Sequence, residues 1–223
     1  MRAAIFDFDG VLVDSEPLHF RAMRDSLLPE GITIDEDEYA RVYLAYDDRG
    51  ALRRALEEHR VPFDLDRLDL IARRKAGIFQ AMLADIPLFP GVRELLSSLA
   101  REVPVAIASG ALRSEIESIL TSAGLRSLFG AVVGADDVTQ GKPHPEPYLS
   151  AMERIAAKAP GLRPEECVVV EDSPPGIASA LAAGMKVVAV SNSYPPAALN
   201  AAHRVVQSLA GVGPSDLRGL FLS

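Results

Sequence analysis

Near its start the chain runs Ala3-Ala4-Ile5-Phe6-Asp7-Phe8-Asp9-Gly10, four apolar residues that give way to two aspartates and a glycine. A short continuous apolar run suits a strand buried on both faces, as in a parallel sheet covered by helices on either side. Ligands of such sheets gather beyond the carboxyl ends of the strands, which is where Asp7 and Asp9 stand. Their i, i+2 spacing turns both side chains to one side of an extended backbone, and Gly10 lets the chain turn away at once. Two carboxylates facing one space repel each other. A hard divalent cation such as Mg²⁺ offsets that cost by taking oxygen ligands from both.

From Phe89 onward strand and helix patterns alternate, the signature of a parallel sheet with crossover helices, and the first 14 residues must join that sheet. Strands are expected over 103–108, 131–134, 168–170 and 187–190, with a last short one at Val205-Val206. Helices are expected over 91–101, 113–121 and from Ser173 or Pro174 to Ala183, with another in the tail. Two further strand ends carry polar residues, Ser109-Gly110 and Glu171-Asp172. Between them lies Gly141-Lys142-Pro143-His144-Pro145-Glu146-Pro147-Tyr148, where three prolines in five residues stiffen the backbone and limit the freedom of Lys142.

Residues 15–88 hold no convincing strand and read as four helices, an all-α cap inserted between 1–14 and 89–223. The first helix is expected over 17–28, with Asp35, then Asp47 or Asp48, then Asp64 as N-caps of the others. Leu52, Ala55, Leu56 and His59 make the apolar face of the third. The fourth, running to about Ala84, puts Leu68, Ile71, Phe79 and Met82 on one face that Lys75 interrupts. Lys75 either snorkels to water along its stem or points toward an anionic substrate. Arg49 sits in the first turn of a helix, where a cation opposes the macrodipole. It either pairs with Asp47 or Asp48 or helps the local N–H groups hold a substrate anion. His19 is a hinge or substrate contact, or simply packed.

The run Asp7-x-Asp9-Gly10-Val11-Leu12-x-Asp14-Ser15 resembles the first motif of the haloacid dehalogenase-like superfamily, whose members are mostly Mg²⁺-dependent phosphatases. Ser109, Gly141-Lys142-Pro143-x-Pro145-x-x-Tyr148 and Glu171-Asp172 resemble its second, third and fourth motifs, in order. The resemblance implies a Rossmann-like α/β core, a parallel sheet flanked by helices, with the helical cap inserted. It makes Asp7 the nucleophile and Asp9 the general acid and base. Ser109, beside Gly110 on the substrate side, would hold a phosphoryl oxygen, and Lys142 would neutralise Asp7 and the transferring group. Mg²⁺ would take the Asp7 and Asp172 carboxylates and the Asp9 carbonyl, with Glu171 acting through water.

The expected activity is hydrolysis of a small phosphorylated metabolite, a sugar phosphate or phosphoglycolate-like molecule, through an aspartyl-phosphate. The alternative is a β-phosphoglucomutase-like phosphotransferase, because His19, Arg49 and Lys75 resemble that group's cap residues. Against it stands Ser109-Gly110-Ala111-Leu112-Arg113, which lacks the second serine, the lysine and the asparagine of that group's Ser-x-Ser-Lys-Asn pattern. A non-catalytic metabolite-binding protein on the same scaffold is a third reading, disfavoured by the intact Asp7, Asp9, Lys142 and Asp172 set.

With 31 acidic against 23 basic residues the net charge is −8, which argues against nucleic acid or an anionic membrane as partner. Cys167 is the only cysteine, so no intramolecular disulfide is possible, and its place beside three valines suits a small buried hydrophobe. Asp7 and Asp9 interrupt any secretory apolar region, and no apolar run approaches the roughly 20 residues of a membrane helix. A cytoplasmic monomer is expected.

Overall fold

The computed structural model describes residues 1–44, 46–83 and 86–222. In chain order the strands and α-helices are β1 (Ala3–Phe6), α1 (Glu16–Leu27), α2 (Glu36–Glu38), α3 (Asp48–Glu58), α4 (Leu65–Met82), α5 (Val92–Leu99), β2 (Val105–Ala108), α6 (Arg113–Ser122), β3 (Ala131–Val133), α7 (Glu146–Ile155), β4 (Cys167–Glu171), α8 (Pro174–Ala182), β5 (Lys186–Val190), β6 (Arg204–Val206) and α9 (Pro214–Arg218). They divide into two units, one made of Met1–Asp14 with the chain from Pro87 onward, the other of Ser15–Ile86.

The first unit is a Rossmann-like α/β core. Its six strands form one parallel sheet in the order β3-β2-β1-β4-β5-β6. Every residue of β1, β2 and β4 is buried, which explains why these strands read as unbroken apolar runs rather than alternating ones. Side-chain alternation splits them between two faces. Ala3, Ile5, Ala106, Ala108, Val169 and Val187 pack with Tyr148 and Ile155 of α7 and Ile177 of α8. Ala4, Phe6, Ile107 and Val170 point the other way and are equally buried. The order reverses between β1 and β4, the switch point at which open α/β sheets bind ligands. Ile5 lies opposite Ala106 on one side and Val169 on the other, so the three central strands end nearly level. Asp7, Ser109 and Glu171 therefore leave the sheet along one edge.

The helical unit packs Phe20, Met23 and Leu27 of α1 against Tyr43, against Leu52, Ala55 and Leu56 of α3, and against Leu68 and Ile71 of α4. Asp35, Asp47 and Asp64 cap their helices as expected, accepting from the N–H of Glu38 (2.8 Å), Gly50 (2.6 Å) and Arg67 (2.8 Å). Each cap contributes about 1 kcal/mol by satisfying an N–H that has no partner within the helix. The second helix is a single α-turn that passes into a π-helical stretch, Tyr39–Tyr43. His59 does not share the buried face of α3: it is the C-cap, is exposed, and its Nε2 lies 3.1 Å from Glu38 Oε1. The expected end of α4 at Ala84 lies outside the described residues. Among the described residues no helix is long and apolar enough to cross a membrane.

Candidate active site

Because Asp7 continues the alternation of Ala3 and Ile5, and Glu171 that of Cys167 and Val169, the two carboxylates emerge on the same face of adjacent strands. Between them sits the Lys142 ammonium, 2.6 Å from Asp7 Oδ1 and 2.8 Å from Glu171 Oε1. Lys142 comes from the stiff proline-rich segment before α7, whose first turn supplies Tyr148. The ammonium lies 4.9 Å from the centre of that ring, and the phenol donates to Glu171 Oε1 at 3.0 Å. The other oxygen of Glu171 accepts from the N–H of Asp172 and of Ser173, both at 2.7 Å, and from Ser173 Oγ at 3.0 Å. Five donors thus occupy the lone pairs of Glu171, a wholly buried carboxylate that acts as anchor for Lys142 and for the start of α8.

Asp7, Glu171 and Asp172 are the group among the described residues whose carboxylates could hold a metal ion, with one oxygen of each within 4.8 Å of the others. Burial pushes the Asp7 carboxyl well above its ordinary range; Lys142 opposes this, while Glu171 and Asp172 reinforce it. Burial also pushes Asp172 up to about 7, Glu171 and Asp9 adding to the shift and the Ser193 hydroxyl opposing it. Burial works the same way on Glu171, but Lys142 and the Ser173 hydrogen bonds more than reverse it, so that carboxyl lies below its ordinary value. Lys142, which burial alone would depress, is raised by Asp7 and Glu171 and stays charged.

Asp9 is half-buried on the turn after Asp7, and its backbone bridges to Val13. Gly10 has φ +74°, and a Cβ there would collide with the Asp172 carboxylate. At Gly176 a Cβ would collide with the Glu171 carboxylate, so α8 packs directly beneath that acid. Ser109 is buried at the end of β2, its N–H bonded to Val133 O at 3.0 Å and its Oγ accepting from the Ala111 N–H at 3.0 Å. Gly110 is exposed, and a Cβ on it would meet nothing within 4 Å.

Two residues that sequence reasoning missed, Asn192 and Ser193, follow β5. Asn192 Nδ2 donates to Gly10 O at 2.7 Å, and Ser193 Oγ donates to Asp172 Oδ2. Their place after a strand was the available signal, but uncharged residues in such a loop look ordinary.

The helical unit holds a separate cluster. Lys75 does not snorkel: its side chain is 3 % exposed, its ammonium donates to Asp48 Oδ1 and lies 2.9 Å from His19 Nδ1. The His19 ring stacks on Phe79 with centroids 4.2 Å apart. Arg49 pairs with Asp69 of α4 rather than with Asp47 or Asp48. Both cations are therefore matched by carboxylates within their own unit.

A family model of haloacid dehalogenase-like hydrolases matches residues 1–184, the span that carries all four strand-end motifs, and the chain belongs to that family. It is 35% identical over 191 residues to a fructose-1-phosphate phosphatase of Escherichia coli, covering 83% of this chain and 94% of that protein. A phosphorylated carbohydrates phosphatase of Thermotoga maritima is 33% identical over 188 residues, 83% of each chain. Among solved structures, a putative β-phosphoglucomutase of the same organism superposes with a TM-score of 0.77 at 30% identity, over 99% of this chain and 98% of that one.

Proposed function

We propose that the chain is a Mg²⁺-dependent phosphatase of a small phosphorylated metabolite, a sugar or polyol phosphate, working through an aspartyl-phosphate on Asp7. The observation that carries this is the Lys142 ammonium held between Asp7 and Glu171 at the switch point of the sheet. The names of the two phosphatase relatives support a sugar phosphate within that class.

The donor set suits Mg²⁺. It offers only oxygen, its acids outnumber Lys142, and burial drives Asp7 and Asp172 toward protonation in the absence of a counter-charge. Asp7 and Asp172 would hold the ion with the Asp9 carbonyl, while Glu171, expected from the motif to act through water, has its oxygens filled by five protein donors and would act by anchoring Lys142. When bound, Mg²⁺ would neutralise the phosphoryl oxygens and hold them against the nucleophile.

In the proposed reaction an Asp7 carboxylate oxygen attacks phosphorus, the bond to the leaving oxygen breaks, and Asp9 gives that oxygen its proton. Water then attacks the phosphoryl group on Asp7, Asp9 takes a proton from it, and the Asp7–phosphorus bond breaks to release phosphate. Lys142 favours the ionised form of Asp7 against the effect of burial and balances charge on the transferring group. Ser109, whose Oγ already accepts from Ala111, keeps its own proton for a phosphoryl oxygen, with Gly110 leaving space beside it. Residues 15–88 would serve as the cap, and its candidate contacts His19, Arg49 and Lys75 would meet a substrate only by giving up their present partners Asp48 and Asp69.

The likeness to a putative β-phosphoglucomutase favours a second reading, phosphotransfer between sugar phosphates. Against it, Lys75 and Arg49 are already paired with Asp48 and Asp69, whereas a bisphosphate intermediate calls for unpaired cations at its second phosphate. A turnover screen across phosphorylated metabolites, with and without Mg²⁺, tests the proposal. Metal-dependent phosphate release from sugar or polyol phosphates is expected, and its absence from the whole panel would overturn the assignment.

A further inference from the structure

We propose that Ser193 and Asn192, from the loop after β5, are positioning residues for the cation site, an inference that rests on the Mg²⁺ reading above. The two adjacent side chains reach two different arms of the site. Ser193 Oγ donates to Asp172 Oδ2, so one oxygen of that carboxylate is engaged by the protein, which on this proposal leaves Oδ1 to the cation. Asn192 Nδ2 donates at 2.7 Å to the carbonyl of Gly10, whose own N–H donates to Val13 O at 3.0 Å. That pair of bonds fixes the turn that carries Asp9.

The three segments meet closely at Gly10: a Cβ on that residue would strike both the Asp172 carboxylate and Ser193 Oγ. A single loop thus sets the spacing between the acids after β1 and the acid after β4, which no backbone ladder reaches beyond the strand ends. Ser193 itself is exposed, so its hydroxyl contributes to aim rather than to a packed core. Hydrogen-bond partners of metal ligands typically change metal affinity by about 10- to 100-fold when removed.

The test is a calorimetric titration of the substrate-free protein with Mg²⁺ alone, accompanied by thermal unfolding without Mg²⁺. Ser193→Ala should raise the Mg²⁺ Kd by about tenfold with an unchanged unfolding temperature. Ser193→Thr, which keeps the hydroxyl, should restore wild-type affinity, and Asn192→Ala should weaken binding in the same direction. If Ser193→Ala binds Mg²⁺ as the wild type does, or if Ser193→Thr is as impaired as Ser193→Ala, the assignment is wrong. An Asp172→Ala arm separates the two layers of argument. Loss of Mg²⁺ binding there with none in Ser193→Ala overturns the positioning role alone, whereas full binding by Asp172→Ala overturns the cation site and this inference with it.

Discussion

Lys142 Nζ lies 2.6 Å from Asp7 Oδ1, although the residues stand 135 positions apart in the chain. The contact exists because β1 and β4 end level, with Glu171 on the neighbouring strand offering the ammonium its second carboxylate at 2.8 Å. Lys142→Met removes the charge that opposes the effect of burial on Asp7, and kcat should fall by about 10²- to 10³-fold, the scale for losing one group that stabilises developing charge. Lys142→Arg should not restore it, because a planar guanidinium does not fit where a compact ammonium is enclosed by two acids and the Tyr148 ring. Steady-state kinetics on all three proteins would decide, and an active arginine variant would contradict the argument.

Asp7→Asn keeps the shape of the side chain and removes the nucleophile. Phosphoenzyme should disappear from acid-quenched reactions with labelled substrate, while the circular dichroism spectrum remains that of the wild type. Undiminished turnover by the purified variant would refute covalent catalysis at this residue.

Activity should be lost on thorough chelation and return with Mg²⁺, since Asp7, Glu171 and Asp172 converge on a space where Lys142 supplies the counter-charge. Asp172→Ala should need far more Mg²⁺ for half-maximal rate. Full turnover in chelated, metal-free enzyme would be the contrary result.

His19 gives the helical unit a pH dependence. Its ring is enclosed by Phe79, Lys75 and Asp48. Burial first and Lys75 second lower its pKa to about 4, with Asp48 pulling weakly the other way. The folded state therefore binds fewer protons than the unfolded one, in which the group titrates near 6.5. The sign follows: the stabilisation is fully present above about 6.5 and is lost as pH falls toward 4. The gap in thermal stability between the wild type and His19→Gln should shrink across that window, and parallel stability curves would contradict it.

Lys75→Ala would be a poor probe of substrate binding, because it leaves a gap in a buried cluster and strips Asp48 of its partner. Asp48→Asn is cleaner, removing the charge that matches the ammonium while leaving its stem packed and His19 Nδ1 beside it. With β-glucose 1-phosphate and a trace of the 1,6-bisphosphate, the wild type should release free phosphate faster than it forms glucose 6-phosphate. Asp48→Asn should raise kcat/KM for substrates that carry a second anionic group, relative to neutral sugar monophosphates. Isomer forming well ahead of phosphate in the wild type would favour the mutase.

The core site was legible because its chemistry sits at strand ends, where an apolar run stops abruptly at a charge: Asp7 after Phe6, Glu171 after Val170. The Gly141-Lys142-Pro143 segment was legible because proline leaves the backbone few alternatives. Asn192 and Ser193 carry no charge and act through single hydrogen bonds, which leave no mark in hydrophobic periodicity. The partners of Lys75 and Arg49 were hidden for a related reason. Asp48 and Asp69 reach them across α3 and α4, and helical periodicity places a residue on a face without saying which side chain of a neighbouring helix it meets. His59 fits the spacing of α3, but the helix ends there and the capping residue turns out to solvent.

The position of β1 in the middle of the sheet has a consequence for how the protein is made. Its two neighbours begin only at Val105 and Cys167, so during synthesis Ala3–Phe6 emerges long before either partner exists. An unpaired apolar strand is a hazard for association between nascent chains, and natural sequences blunt such segments with flanking charges. Asp7 and Asp9 stand at that flank. The two carboxylates proposed to carry the reaction also guard the strand that bears them while it waits for its partners.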